Sequence, residues 1–66
     1  MEFGEFMQVC DDLGVSWAWE PLPGAAAGVQ FDDGEWAISR LFTGQEIGAM
    51  SPDVLRSVLT EMKERL

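Results

Sequence analysis

The stretch GVQFDDGEWAIS, residues 28 to 39, limits the possible folds of this chain more than any other. An Asp-Gly pair between alternating residues is a hairpin signal, because both central positions of a type I′ turn require positive φ. A two-residue turn at Asp33-Gly34 pairs Asp32 with Glu35, Phe31 with Trp36, Gln30 with Ala37, Val29 with Ile38, and Gly28 with Ser39. One face then collects Phe31, Trp36, Val29 and Ile38. The other collects Asp32, Glu35, Gln30, Ala37 and Ser39. Beyond Ile38 the alternation falters, since Leu41 and Phe42 are adjacent and Arg40 shares the apolar face. A bulge, or a strand covered on both sides, would account for that.

Helices on either side can cover the apolar face. Phe3, Phe6, Met7, Cys10 and Leu13 recur at helical spacing, and Gly14 stands where a helix C′ residue would, which predicts an amphipathic helix over residues 2 to 13. Trp17 and Trp19 alternate with Ser16, Ala18 and Glu20, which reads as a short strand ended by the PLPG turn. TGQEIGAM, residues 43 to 50, has no firm period and reads as a connecting loop with a short edge strand. Ser51 then suits an N-cap and Pro52 the first helical position. Val54, Leu55, Val58, Leu59, Met62 and Leu66 form the apolar stripe of a closing helix. The expected fold is α+β: a three-stranded antiparallel sheet with two helices packed on one face, in the order α-β-β-β-α. The far sheet face is left partly open to solvent.

At 66 residues the chain reads as one compact domain, 1 to 66. A domain of this size buries only about 60% of its unfolded surface. A single cysteine, Cys10, rules out an intramolecular disulfide and fits a reducing compartment. The longest apolar run, AAAGV, is far shorter than the roughly 20 residues that span a bilayer. The expectation is a cytoplasmic protein that does not enter membranes.

Twelve acidic residues against four basic ones give a net charge of −8. The whole excess lies before Ser51, where Arg40 is the only cation. Such a field repels phosphate backbones and anionic membranes and attracts basic surfaces, which argues against direct nucleic-acid binding.

Little points to catalysis. The chain has no histidine, no tyrosine and one lysine, so general acid-base chemistry falls to carboxylates alone. Cys10 lies on the helical core stripe beside acids that raise a thiol pKa, which suits burial rather than nucleophilic attack. Asp32, Asp33 and Glu35 lack the alternating ligand ladder of a calcium loop, and no histidine or cysteine set exists for zinc. A non-enzymatic protein with no metal and no cofactor is expected. Trp17, Trp19, Phe31 and Trp36 are expected in the core, with one of Trp17 or Trp19 exposed.

The acidic surface is the main functional signal. The candidate partner-binding residues are Asp32, Asp33 and Glu35 at the hairpin tip, with Glu20, Asp11, Asp12 and Glu5. Carboxylates held on a rigid scaffold can occupy arginine and lysine sites that otherwise bind phosphates, which is DNA mimicry. In size, charge, its lone cysteine and the stretches DDLG, FDDGEW and TGQE, the chain resembles the small acidic phage-encoded inhibitors of bacterial defence, anti-CRISPR proteins among them. That resemblance implies a basic, nucleic-acid-binding partner in a defence complex, met in the host cytoplasm after infection. Two other classes fit the same residues: an immunity or antitoxin-like protein binding one basic toxin, and a homodimeric adaptor using Trp17, Trp19 or the stripe from Val54 to Leu66.

Overall fold

The computed structural model describes residues 1–19 and 27–65. Glu20 therefore lies outside the described residues, as do the PLPG turn and Leu66. In chain order the elements are α1 (Phe3–Asp12), β1 (Ser16–Trp19), β2 (Ala27–Asp32), β3 (Ala37–Phe42), α2 (Gly44–Ala49) and α3 (Pro52–Glu64). The strands form one antiparallel sheet in the order β1-β2-β3, so the α+β class and the α-β-β-β-α order are as the sequence implies.

α1 ends in a Schellman motif: the Val15 N–H donates to the Cys10 carbonyl (2.8 Å) and the Gly14 N–H to the Asp11 carbonyl (3.2 Å). Gly14 sits at φ +68°, the left-handed conformation this cap requires. The buried face of α1 is Phe6, Val9 and Cys10, with Phe3, Met7 and Leu13 half-buried. α3 opens as expected, with the Val54 N–H donating to Ser51 Oγ (3.2 Å) and Pro52 in its first turn. It buries Leu55, Leu59 and Met62, while Val54 is turned out at 49% exposure.

Residues 43 to 50 are not the expected loop with an edge strand. They form the short helix α2, which closes on Ile47. The signal is local: Thr43 and Glu46 make a capping box, the Glu46 N–H donating to Thr43 Oγ1 (3.0 Å) and the Thr43 N–H to Glu46 Oε1 (3.1 Å). The Met1 amino nitrogen donates to the carbonyls of Ile47, Gly48 and Met50 at 3.0, 3.1 and 2.7 Å. Two carbonyls left free at the end of α2, those of Ile47 and Gly48, are thereby satisfied.

The hairpin register differs from the sequence expectation by two residues. Asp32 pairs with Ala37, Phe31 with Ile38, Gln30 with Ser39, Val29 with Arg40, Gly28 with Leu41 and Ala27 with Phe42. A shift of two preserves the faces: Ala27, Val29, Phe31 and Phe42 are buried against the helices, and Gln30, Asp32, Ala37, Ser39 and Leu41 are exposed. The ladder runs unbroken to Phe42, so neither a bulge nor a doubly covered strand is needed. Arg40 is accommodated because β3 is the outer strand: its guanidinium lies 5.0 Å from the Phe42 ring centroid and 4.0 Å from Glu46 Oε2.

The core is one cluster, Phe6, Val9, Cys10, Val15, Ala27, Val29, Phe31, Phe42, Ile47, Leu55, Leu59 and Met62. Phe6 meets Phe42 edge-on at 5.7 Å between ring centroids. Trp17 and Trp19 point to the helix side of β1, where Phe3 touches Trp17 edge-on and stacks on Trp19 at 4.2 Å. Trp17 is half-buried, but Trp19 is 62% and Trp36 66% exposed, so these two are not core residues.

Candidate interaction surface

The register shift leaves Asp33, Gly34, Glu35 and Trp36 as a four-residue loop. A type I′ turn would have put Asp33 at positive φ; instead Gly34 alone takes that conformation there, at +94°. The loop is closed by its own carboxylates. Asp33 Oδ1 accepts the N–H groups of Trp36 (2.7 Å) and Glu35 (3.0 Å), and Asp32 Oδ1 accepts that of Gly34 (2.7 Å). The Asp33 N–H donates to the Trp36 carbonyl at 3.1 Å. These bonds, first from Trp36 and then from Glu35, hold the Asp33 carboxyl below the usual carboxylate range.

Two expectations about the tip change accordingly. Asp32 faces Ala37 rather than Glu35, so the opposed like charges expected from a two-residue turn do not form. Asp32 and Asp33 also have a folding role as turn acceptors, which a lysine could not fill. Glu35 is the tip acid with no such bond among the described contacts. Beside it Trp36, released from the ladder, projects into solvent.

The same end of the molecule carries Asp11 and Asp12, because α1 leads through Gly14 into Ser16, which pairs with Gln30 two positions short of Asp32. Asp12 accepts from Gln8 Nε2 (2.9 Å) and lies 3.9 Å from Arg56, so Asp11 is the freer of the two. Glu5 is not part of this group. It lies about 9 Å along the α1 axis from Asp11, and its carboxylate accepts the Glu2 N–H (3.3 Å). Folding also returns cations to the hairpin end: Lys63 Nζ lies 5.6 Å from the Phe31 ring centroid, and Arg65 shares a shallow depression with Trp36, Ala37 and Ile38. The acidic excess of the first fifty residues is thus partly offset in space by the end of α3.

The open sheet face is a different kind of surface. Ser16, Ala18, Gly28, Gln30, Ser39 and Leu41 floor a basin of about 520 Å³, and Leu41 is 50% exposed. The one titratable side chain among its described lining residues is Arg40. Cys10 lies in the core, where burial and the neighbouring Asp11 push its thiol up to about 11. It is a packing residue. Among the described residues no three histidine, cysteine or acidic side chains converge as a metal site, and no helix is long and apolar enough to cross a membrane.

Sequence reasoning missed Trp36 as a surface residue. The missed signal is that an aspartate at the start of a loop can accept the N–H groups two and three residues on, which favours a longer loop over the strained two-residue turn. Searches against protein-family models, curated proteins and solved structures found no match to this chain.

Proposed function

We propose that this chain is a non-enzymatic inhibitor that sets its acidic hairpin end on a basic, nucleic-acid-binding site of a partner protein. The observation that carries this reading is the loop of residues 33 to 36, closed by its own hydrogen bonds, which leaves Trp36 at 66% exposure beside Glu35. An exposed tryptophan rimmed by polar groups is the kind of residue that dominates protein-protein binding energy. The carboxylates at this end of the molecule, those of Glu35, Asp11, Asp32 and Asp33, supply attraction to arginine and lysine and discrimination against acidic surfaces. In this reading Asp32 and Asp33 shape the loop, Trp36 anchors and Glu35 steers. A basic site that normally grips phosphates, as in a bacterial defence nuclease, is the partner whose charge suits it best.

The test is capture of the partner from a host-cell lysate by the full chain, repeated with increasing salt and with added duplex DNA. Steep loss of the partner with salt, displacement by DNA, and loss on Trp36→Ala and Glu35→Lys are the expected results. A partner retained by both variants and indifferent to salt would remove the hairpin end from consideration.

A further inference from the structure

We infer that the outer edge of β3 pairs antiparallel with β3 of a second copy of this chain, about a two-fold axis at Ser39, continuing the sheet from one protomer into the other. β3 is the edge strand beyond β2, and Ala37, Ser39, Arg40 and Leu41 are all exposed. In an antiparallel ladder the residues that exchange both backbone bonds with the neighbour alternate with residues whose N–H and C=O point away. The Asp33 N–H bond to the Trp36 carbonyl sets that phase. Ile38, Arg40 and Phe42 therefore bond inward to β2. Ala37, Ser39 and Leu41 direct their backbone groups outward.

An exposed row of this kind is ordinarily blunted by proline, a bulge, short length or charged side chains, lysine above all. Over its six residues, AISRLF, β3 has only Arg40 of these, and its guanidinium is turned to the Phe42 ring and Glu46. The strand also contains no carboxylate in a chain of net charge −8, so the acidic excess of a second copy is kept off the strand itself. Arg40 is its sole charge. A two-fold at Ser39 sets Arg40 against Ile38 of the other copy and leaves the two Arg40 residues diagonal on the helix face, each 4.0 Å from the Glu46 carboxylate of its own protomer. The same register lays half-exposed Leu41 over Ala37 of the second copy on the open face, removing apolar surface from water. β1 is the weaker edge, with four residues that run directly into a segment outside the described ones.

The partner is thus this chain itself, and the surface is distinct from the hairpin tip. Light scattering of the full chain alone should give twice its 7.3 kDa mass. Ser39→Lys places two ammonium groups across the axis and should return the mass to that of the monomer with the circular-dichroism spectrum unchanged, because the Ser39 backbone is not needed within the protomer. Ser39→Cys gives an independent readout. Hydrogen-bonded antiparallel partners have Cα atoms about 5.5 Å apart, within disulfide reach, so mild oxidation should cross-link the variant while wild type, with Cys10 buried, stays uncross-linked. Glu35→Lys should remain dimeric, which separates this seam from the partner surface. A monomeric wild-type chain at every concentration, or a dimer that survives Ser39→Lys while Ser39→Cys fails to cross-link, would overturn the inference.

Discussion

The two turns that bracket β3 are built alike and end differently. Before the strand, Asp33 accepts the N–H groups of Glu35 and Trp36; after it, Thr43 and Glu46 exchange bonds across one helical turn. Both use a side chain to satisfy backbone donors that a tight reversal leaves unpaired. Yet the second turn drives Ile47 into the core at 4% exposure, and the first leaves Trp36 at 66%. The comparison separates two explanations of an acidic residue. Asp33 and Glu46 have a folding reason to be acidic, whereas Glu35 and exposed Trp36 have none in the protomer.

The contrast can be tested with paired truncations. Ile47→Ala should cost about 2 to 5 kcal/mol, the usual loss for emptying a buried aliphatic site. That is a large share of the total stability, which for a domain of this length is about 3 to 10 kcal/mol. Trp36→Ala, although it removes more atoms, should change stability by no more than about 0.5 kcal/mol. Urea unfolding of the two variants checks both values. Comparable losses would mean that Trp36 is packed after all, and its role as an anchor would go with its exposure.

A smaller effect is expected from Thr43→Ala. It removes the acceptor for the Glu46 N–H while leaving Glu46 free to bond the Thr43 backbone, and a lost N-cap of this type costs about 1 kcal/mol. Thermal unfolding measures it. A loss near zero would show that the Met1 contacts and the burial of Ile47 hold α2 without its cap, and the likeness between the two turns would be one of appearance only.

What the sequence disclosed and what it concealed divide along the same line. The helix stripes, the Ser51 cap, Gly14 and the inward set Val29, Phe31 and Ile38 were legible because each depends on periodicity or on a single conformational requirement. The hairpin register was not. Its parity follows from the apolar alternation, but its offset depends on whether Asp33 tolerates positive φ or caps the loop with its side chain, a choice between turn chemistries of similar energy. Trp36 went to the wrong place with that choice. TGQE has a capping-box spacing, but the two glycines of TGQEIGAM mask any helical period, so from sequence these residues read as a loop. The stretches that prompted a resemblance to phage-encoded inhibitors, DDLG, FDDGEW and TGQE, each have a local role here, as a helix end, a loop and a cap. Folding accounts for most of these residues but not for Glu35 and Trp36 of FDDGEW, so the proposed function rests on those two and the charge at the hairpin end.

The smallest expected effect is also the most specific to the first turn. Asp33→Asn keeps an oxygen that can accept the Trp36 and Glu35 N–H groups but abolishes the charge, so the loop geometry survives and only the titration is lost. In the wild type the folded state holds the Asp33 carboxyl lower than the unfolded chain does, because its oxygen accepts those N–H groups. The folded state therefore takes up a proton less readily. Its contribution to stability is complete above the ordinary carboxylate range and is lost as pH falls from there through the lowered folded value. Wild type should exceed Asp33→Asn in stability at neutral pH, and the gap should close on acidification. Urea unfolding of the two proteins across the acid range provides the measurement. A gap between wild type and Asp33→Asn that stays constant with pH would mean that the turn depends on the shape of the side chain and not on its charge, leaving the Asp33 carboxylate, like that of Glu35, to be explained by a partner.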